Sequence, residues 1–281
     1  MKRVFIFCFI VFNCTLAYGQ DLTKVINDIV YINVLHTNDV GFRVVDPVTG
    51  AGDEYTQQYK NYLKLSAIAT TDQLVSLTGN YNKVLATYAL WALLDRNYNN
   101  IEPIVDQFLQ DEAVIRIADG CMPSNGEVLS FTYVNRSYYK PFTQLQQQIM
   151  DSLTLYTHHY NYEMLRSVLR NRSLPARYLP QIEFLAFTWN RIDAIFYLHN
   201  LCWPKPKERL REATLRYFER IDLSNKSGEE ILRLVTMLLE YNDTIINEKV
   251  VTRLKENDLL ARGYKNLIYV TVASYGLIEF E

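Results

Sequence analysis

The stretch VLHTNDVGF, Val34 to Phe42, puts an imidazole, a carboxylate and a glycine within nine residues. Side chains of this kind build two-metal hydrolytic centres, in which carboxylates and imidazoles hold cations about 3.5–4 Å apart to activate water and clamp a phosphoryl group. Asp39 is followed by Val40 and Gly41, so no imidazole stands just after the carboxylate. His158 and His159 are the next candidates, with Glu163 one helical turn beyond His159. Two ligands can begin a zinc site, but the arrangement is not H-E-x-x-H and no third ligand stands at a usable spacing. A surface histidine pair at a helix end is the expected reading.

VLHTNDVGF resembles the strand-ending motif of the metallophosphoesterase family that includes secreted nucleotidases. That family carries an Asp-x-His pair and, downstream, a Gly-Asn-His motif; here Asp39 is followed by Val40-Gly41 and Gly79-Asn80 by Tyr81, so both histidines are missing and the likeness implies no active centre. His199 follows Ile192, Ile195 and Phe196 at helical spacing and reads as a core residue on an apolar face. There is no G-x-S-x-G elbow for nucleophilic catalysis, and a Cys121–His dyad would need contacts that sequence does not give. Glu229 and Glu230 fall in a helix first turn, where the dipole accounts for them. We therefore expect no catalytic, cofactor-binding or metal-ligating residue.

The elements that would position any site are mainly helical. SGEEILRLVTMLLEY, from Ser227, sets Ile231, Leu234, Val235 and Leu238 on one face behind a Ser227/Glu230 capping box. Residues 206–221 repeat the pattern with Leu210, Ala213, Thr214, Tyr217 and Ile221, opposite a Glu212–Arg216 pair. Thr143 and Gln146 mark a third start, for a helix through Tyr156. Residues 180–203 read as two short helices broken at Asn190-Arg191, and NKVLATYALWALLDR is apolar on nearly every side and must lie between neighbours. AVIRI, the turn cluster DGCMPSNGE and VLSFTYV suggest a small β or irregular insertion near residues 112–140, and residues 41–54 read as a loop.

LVSLTGNYNKVLATYALWALLDRN, residues 74–97, is similar to one unit of a HEAT-like repeat, and residues 169–201 resemble a degenerate second unit. The likeness, to irregular helical-repeat proteins of the bacterial envelope, covers about half the chain. It implies a mostly α fold, an antiparallel α-solenoid-like array that acts by binding.

At the N-terminus, Lys2 and Arg3, the apolar run Val4–Phe12 and the small residues Ala17 and Gly19 have the layout of a cleaved secretory signal over residues 1–19. The run falls short of the roughly 20 residues a spanning helix needs. Residues 20–281 then form one helical-repeat-like domain, with a sub-boundary near 140. Export to the periplasm or the medium is expected, with lipidation at Cys14 as the alternative. Cys121 and Cys202 could form a disulfide there, or remain buried thiols.

The 29 basic and 31 acidic residues give a net charge of −2, too balanced to point to nucleic acid. Between Arg166 and Arg220, basic residues outnumber acidic ones 11 to 5, which reads as a solvated helical face. With 21 tyrosines in the chain, aromatic side chains beside arginine are the remaining binding anchors. The expectation is a non-catalytic scaffold with a protein partner, and Arg166, Arg170, Arg177, Tyr138 and Tyr139 are its candidate contacts. An envelope hydrolase or glycan-processing enzyme on a helical scaffold is the rival reading.

Overall fold

The computed structural model describes residues 21–37, 44–45, 52–53, 56–119, 122–170, 173–202, 208–260 and 266–279. The signal segment, Cys14, Asp39, Gly41 and Cys121 lie outside the described residues. So do the side chains of Tyr138, Tyr139 and Cys202.

Among the described residues the fold is mostly helical, with fourteen α-helices and a small three-stranded sheet. The chain divides into two compact units, residues 1–168 and 169–281.

In the first unit, helix α1 (residues 21–32) buries Val25 and Ile29 and stops at Asn33, whose φ of 48° turns the chain out of the helix. Strand β1 (Leu35–His36) follows, then the two-residue strands β2 (Val44–Val45) and β3 (Gly52–Asp53), which pair antiparallel within the segment read as loop. Helices α2 (Gln57–Ile68), α3 (Thr71–Thr78), α4 (Lys83–Asp95) and α5 (Glu102–Asp111) lead to the hairpin β4 (Val114–Asp119) and β5 (Met122–Glu127). β1 joins β4 in parallel, Leu35 opposite Ile117, and β5 pairs antiparallel on the other side.

Every residue of α4 from Val84 to Leu94 is buried, as its uniformly apolar sequence requires, and α2 and α3 pack against it. Tyr88 links this helix to the sheet: its hydroxyl accepts from the His36 N–H at 2.9 Å and donates to the His36 carbonyl at 3.0 Å. Both backbone groups of His36 thus find a buried partner.

The expected β insertion needs one correction. AVIRI is strand, but VLSFTYV lies in helix α6 (Val128–Tyr139). Its valine, phenylalanine and tyrosine favour strands, yet the Glu127 carboxylate accepts from the N–H groups of Leu129 and Ser130 and so caps a helix start. Helix α7 (Gln144–Ser152) carries the full Thr143/Gln146 capping box and widens into a π turn over Leu153–Thr157 before α8 (Tyr162–Leu169).

The second unit holds α9 (Leu179–Phe187), α10 (Ile192–Cys202), α11 (Glu208–Arg220), α12 (Gly228–Leu239), α13 (Thr244–Glu256) and α14 (Leu267–Ser274). Asn190, at φ 52°, makes the expected break between α9 and α10. α12 packs against α11, α13 and α14 with Ile231, Leu234, Val235 and Leu238 buried. Two local expectations are replaced. Arg216 donates to the Phe187 carbonyl rather than pairing with Glu212, and Glu230 takes Lys226 and Tyr217 while Ser227 alone caps α12. Among the described residues no helix is long and apolar enough to cross a membrane.

Candidate functional site

A cleft of about 380 Å³ opens in the first unit where α2, α4 and the end of α6 meet. Helical spacing builds its walls. Tyr59, Tyr62, Leu63 and Ser66 recur at i, i+3, i+4 and i+7 along α2, a helix started by the Thr56 hydroxyl accepting from the Tyr59 N–H. Trp91 and Asp95 stand one turn apart at the end of α4, and Asn135 and Lys140 close the opposite side. Arg96, just past α4, donates to the carbonyls of Ser66 and Ala69, both at 2.7 Å. It thereby satisfies carbonyls that the end of α2 leaves without helical partners, and fixes the two helix ends against each other.

The aromatic wall is layered. Tyr59 is half-buried, and its ring centroid lies 5.3 Å from that of buried Tyr62. Tyr62 stacks on Tyr88 at 5.0 Å and meets Trp91 edge-on at 5.9 Å. The Trp91 indole N–H donates to the Thr132 hydroxyl at 2.9 Å, which orients the ring. The polar wall centres on Asp95. Its Oδ2 accepts from the Tyr62 hydroxyl at 2.7 Å and lies 2.7 Å from the Lys140 ammonium. Among the lining residues Asp95 is the single carboxylate, and its charge is matched by Lys140. The cleft therefore offers an apolar ring face beside a neutral donor–acceptor pair, a composition suited to holding a small molecule.

The residues expected to form sites lie elsewhere. Arg166, on α8 in the first unit, sits 3.7 Å from the Glu163 carboxylate one turn back. In the second unit Arg170 lies 4.0 Å from Glu229, and Arg177 stacks on the Tyr178 ring at 4.9 Å while donating to its hydroxyl. Each arginine is engaged within its own neighbourhood.

Of the histidine pair, His158 is buried rather than at the surface, and His159 is half-buried. His158 is 3% exposed, with Nε2 2.6 Å from Asp106 Oδ1 and Nδ1 2.7 Å from the Tyr160 hydroxyl. His159 and Glu163 do not share a helix either, because the π turn ends at Thr157 and α8 begins at Tyr162. His199 is partly buried rather than in the core, 3.0 Å from Glu240 Oε2, and burial holds its pKa below the usual imidazole value. Gly79-Asn80-Tyr81 forms the turn between α3 and α4, with Tyr81 pointing to solvent. Among the described residues no group of three or more His, Cys, Asp or Glu is placed to hold a metal ion.

Asn135 and Lys140 bound the segment around Tyr138 and Tyr139 that the sequence singles out; the other cleft residues were not marked, because the cleft draws on elements spread over more than eighty positions. The available signal was the i, i+3, i+7 recurrence of Tyr59, Tyr62 and Ser66, together with a lone carboxylate ending an otherwise apolar helix. Comparison with family models, curated proteins and solved structures returned no match to this chain.

Proposed function

We propose that this chain is an exported, non-catalytic recognition module whose first unit holds its ligand in the α2–α4–α6 cleft. The observation that carries the reading is the state of Asp95. Its carboxylate is fixed by Tyr62 and neutralised by Lys140 beside an aromatic wall. General acid–base catalysis needs a group poised to exchange a proton with the substrate, and paired glycosidic carboxylates stand about 5–9.5 Å apart. A single ion-paired carboxylate serves orientation instead. The N-terminal Lys2-Arg3, apolar and small-residue sequence supports export. The arginines 166, 170 and 177 remain secondary contacts for a protein partner in this reading, since each already has a local partner.

Native mass spectrometry of the full-length gene product, recovered from cell-envelope and culture-medium fractions, tests the proposal. A species retained by the wild type and lost from Tyr59→Ala supports it. Chemical conversion of that species over time would favour the hydrolase reading, and a chain confined to the cytoplasm would overturn export.

A further inference from the structure

We infer that the open edge of β4 at Val114–Arg116 takes an extended peptide as an added strand, with an acidic side chain of the peptide on Arg116. This second site lies in the first unit and shares no lining residue with the α2–α4–α6 cleft.

β4 is six residues long, but β1 pairs with only two of them, Ile117 and Ala118. Upstream of Leu35 the chain turns away at Asn33 into α1, and among the described residues no strand runs beside Val114, Ile115 and Arg116 on that side. Alternation decides which backbone groups are left facing the gap. The Val128 N–H donates to the Ala113 carbonyl at 3.0 Å, which directs the groups of Ala113, Ile115 and Ile117 toward β5. Those of Val114 and Arg116 point the other way, to the side where β1 stops short. The far side of β1 is closed, because Tyr88 takes both His36 groups.

A cavity of about 360 Å³ occupies this gap. Its floor is apolar, made by the buried Val84 and Ile115, and its rim carries Tyr81 and Val114, 84% and 66% exposed. Three residues of strand span about 10 Å. A peptide laid along them pairs with the β4 backbone, drops one side chain onto the floor and sets the next against the rim. Tyrosine beside arginine is also the composition of a binding anchor.

Charge selects the occupant. The charged residues of the lining are Lys83 and Arg116, both cations. Lys83 is already paired with Asp111. The Arg116 side chain is exposed and, among the described residues, has no ion-pair or hydrogen-bond partner. It shares a face of β4 with Val114, two residues away, so it stands over the same gap. A carboxylate placed there gains a charge-assisted hydrogen bond. A second copy of this chain docked edge to edge would bring cation toward cation instead.

NMR titration of the full chain, labelled with nitrogen-15, tests the inference with capped hexapeptides. Each alternates threonine and valine, with glutamate, glutamine or lysine at a central position. The glutamate peptide is expected to bind most tightly, to shift the Val114 and Arg116 amide signals and to slow their hydrogen exchange. Arg116→Gln, at an exposed position, weakens the glutamate peptide about tenfold, to the level of the glutamine one. Val114→Pro removes an N–H that the β4–β5 ladder does not use, so it abolishes the slowing at Arg116 while native circular dichroism is kept. Equal binding of the three peptides, or preference for lysine, overturns the acidic occupant. Shifts confined to residues away from this cavity, or silence from every peptide, overturn the edge site. Dimerisation that is lost in Val114→Pro assigns the edge to a second copy and overturns the peptide. None of these outcomes bears on the α2–α4–α6 reading, which stands or falls on Tyr59→Ala.

Discussion

Tyr88 is fully buried and serves two structures at once, the β1 backbone through its hydroxyl and the cleft through its ring. Burial pushes the pKa of its phenol well above the usual value, so it remains a donor across the working pH range. Tyr88→Phe keeps the stacking on Tyr62 and leaves the N–H and carbonyl of His36 without this partner. A buried unsatisfied group costs about 1–3 kcal/mol, and urea unfolding of the variant should show a loss in that range. An unchanged midpoint would mean that β1 finds other partners. His158 makes the same point about context. Its buried ring joins Asp106 on α5 to the turn after α7, so His158→Ala is expected to destabilise the chain by about 1–3 kcal/mol. A histidine free at the surface would give a change within about 0.5 kcal/mol.

At the scale of elements, the caps decide where helices begin. Thr143 and Gln146 exchange side-chain and backbone hydrogen bonds at the start of α7, and the Gln146 amide also donates to the Leu94 carbonyl at 2.9 Å, joining this start to the end of α4. Thr143→Ala should cost about 1 kcal/mol, read as a lower thermal or urea midpoint with little change in native circular dichroism. These features were legible because a capping box and a 3.6-residue period are local. α4, α12 and the α9/α10 break at Asn190 were readable for the same reason. α6 was not: its residues favour strands individually, and its helical state depends on Glu127, which the β4–β5 hairpin places at its start. β5 was hidden by the opposite conflict, since MPSNGE has turn composition and becomes a strand through pairing with β4. α2 lacks an acidic first turn and has a weakly patterned sequence, QQYKNYLKLSAI, so the helix that carries Tyr59 and Tyr62 gave little sign of itself. The cleft was illegible because its chemistry exists only after α2, α4 and the end of α6 converge.

At the scale of the whole molecule, each compact unit contains a histidine that resists protonation. Burial lowers the pKa of His36 in the first unit. In the second, burial lowers that of His199, the Glu240 charge opposes the shift and the Arg233 charge reinforces it. For both, the unfolded chain binds the proton more readily than the native state once pH falls below about 6.5. Stability must therefore decline from that point down to the depressed native values, below which the two states are equally protonated. Glu127 acts with the opposite sign. Burial raises its pKa above 4.5, while hydrogen bonds from the Ser130 and Leu129 N–H groups oppose the shift. Its native state binds the proton first, so it adds stability as pH falls through its raised pKa and loses it as pH rises. The histidines therefore favour a fall in thermal midpoint between pH 7 and mildly acid conditions, which Glu127 opposes. His199→Asn should flatten that fall, because it removes the second unit's share, and Glu127→Gln should steepen it by removing the compensating gain. Melting curves for the three proteins across this range check both signs, and a wild-type midpoint that rises on acidification would show that the carboxyl outweighs the histidines.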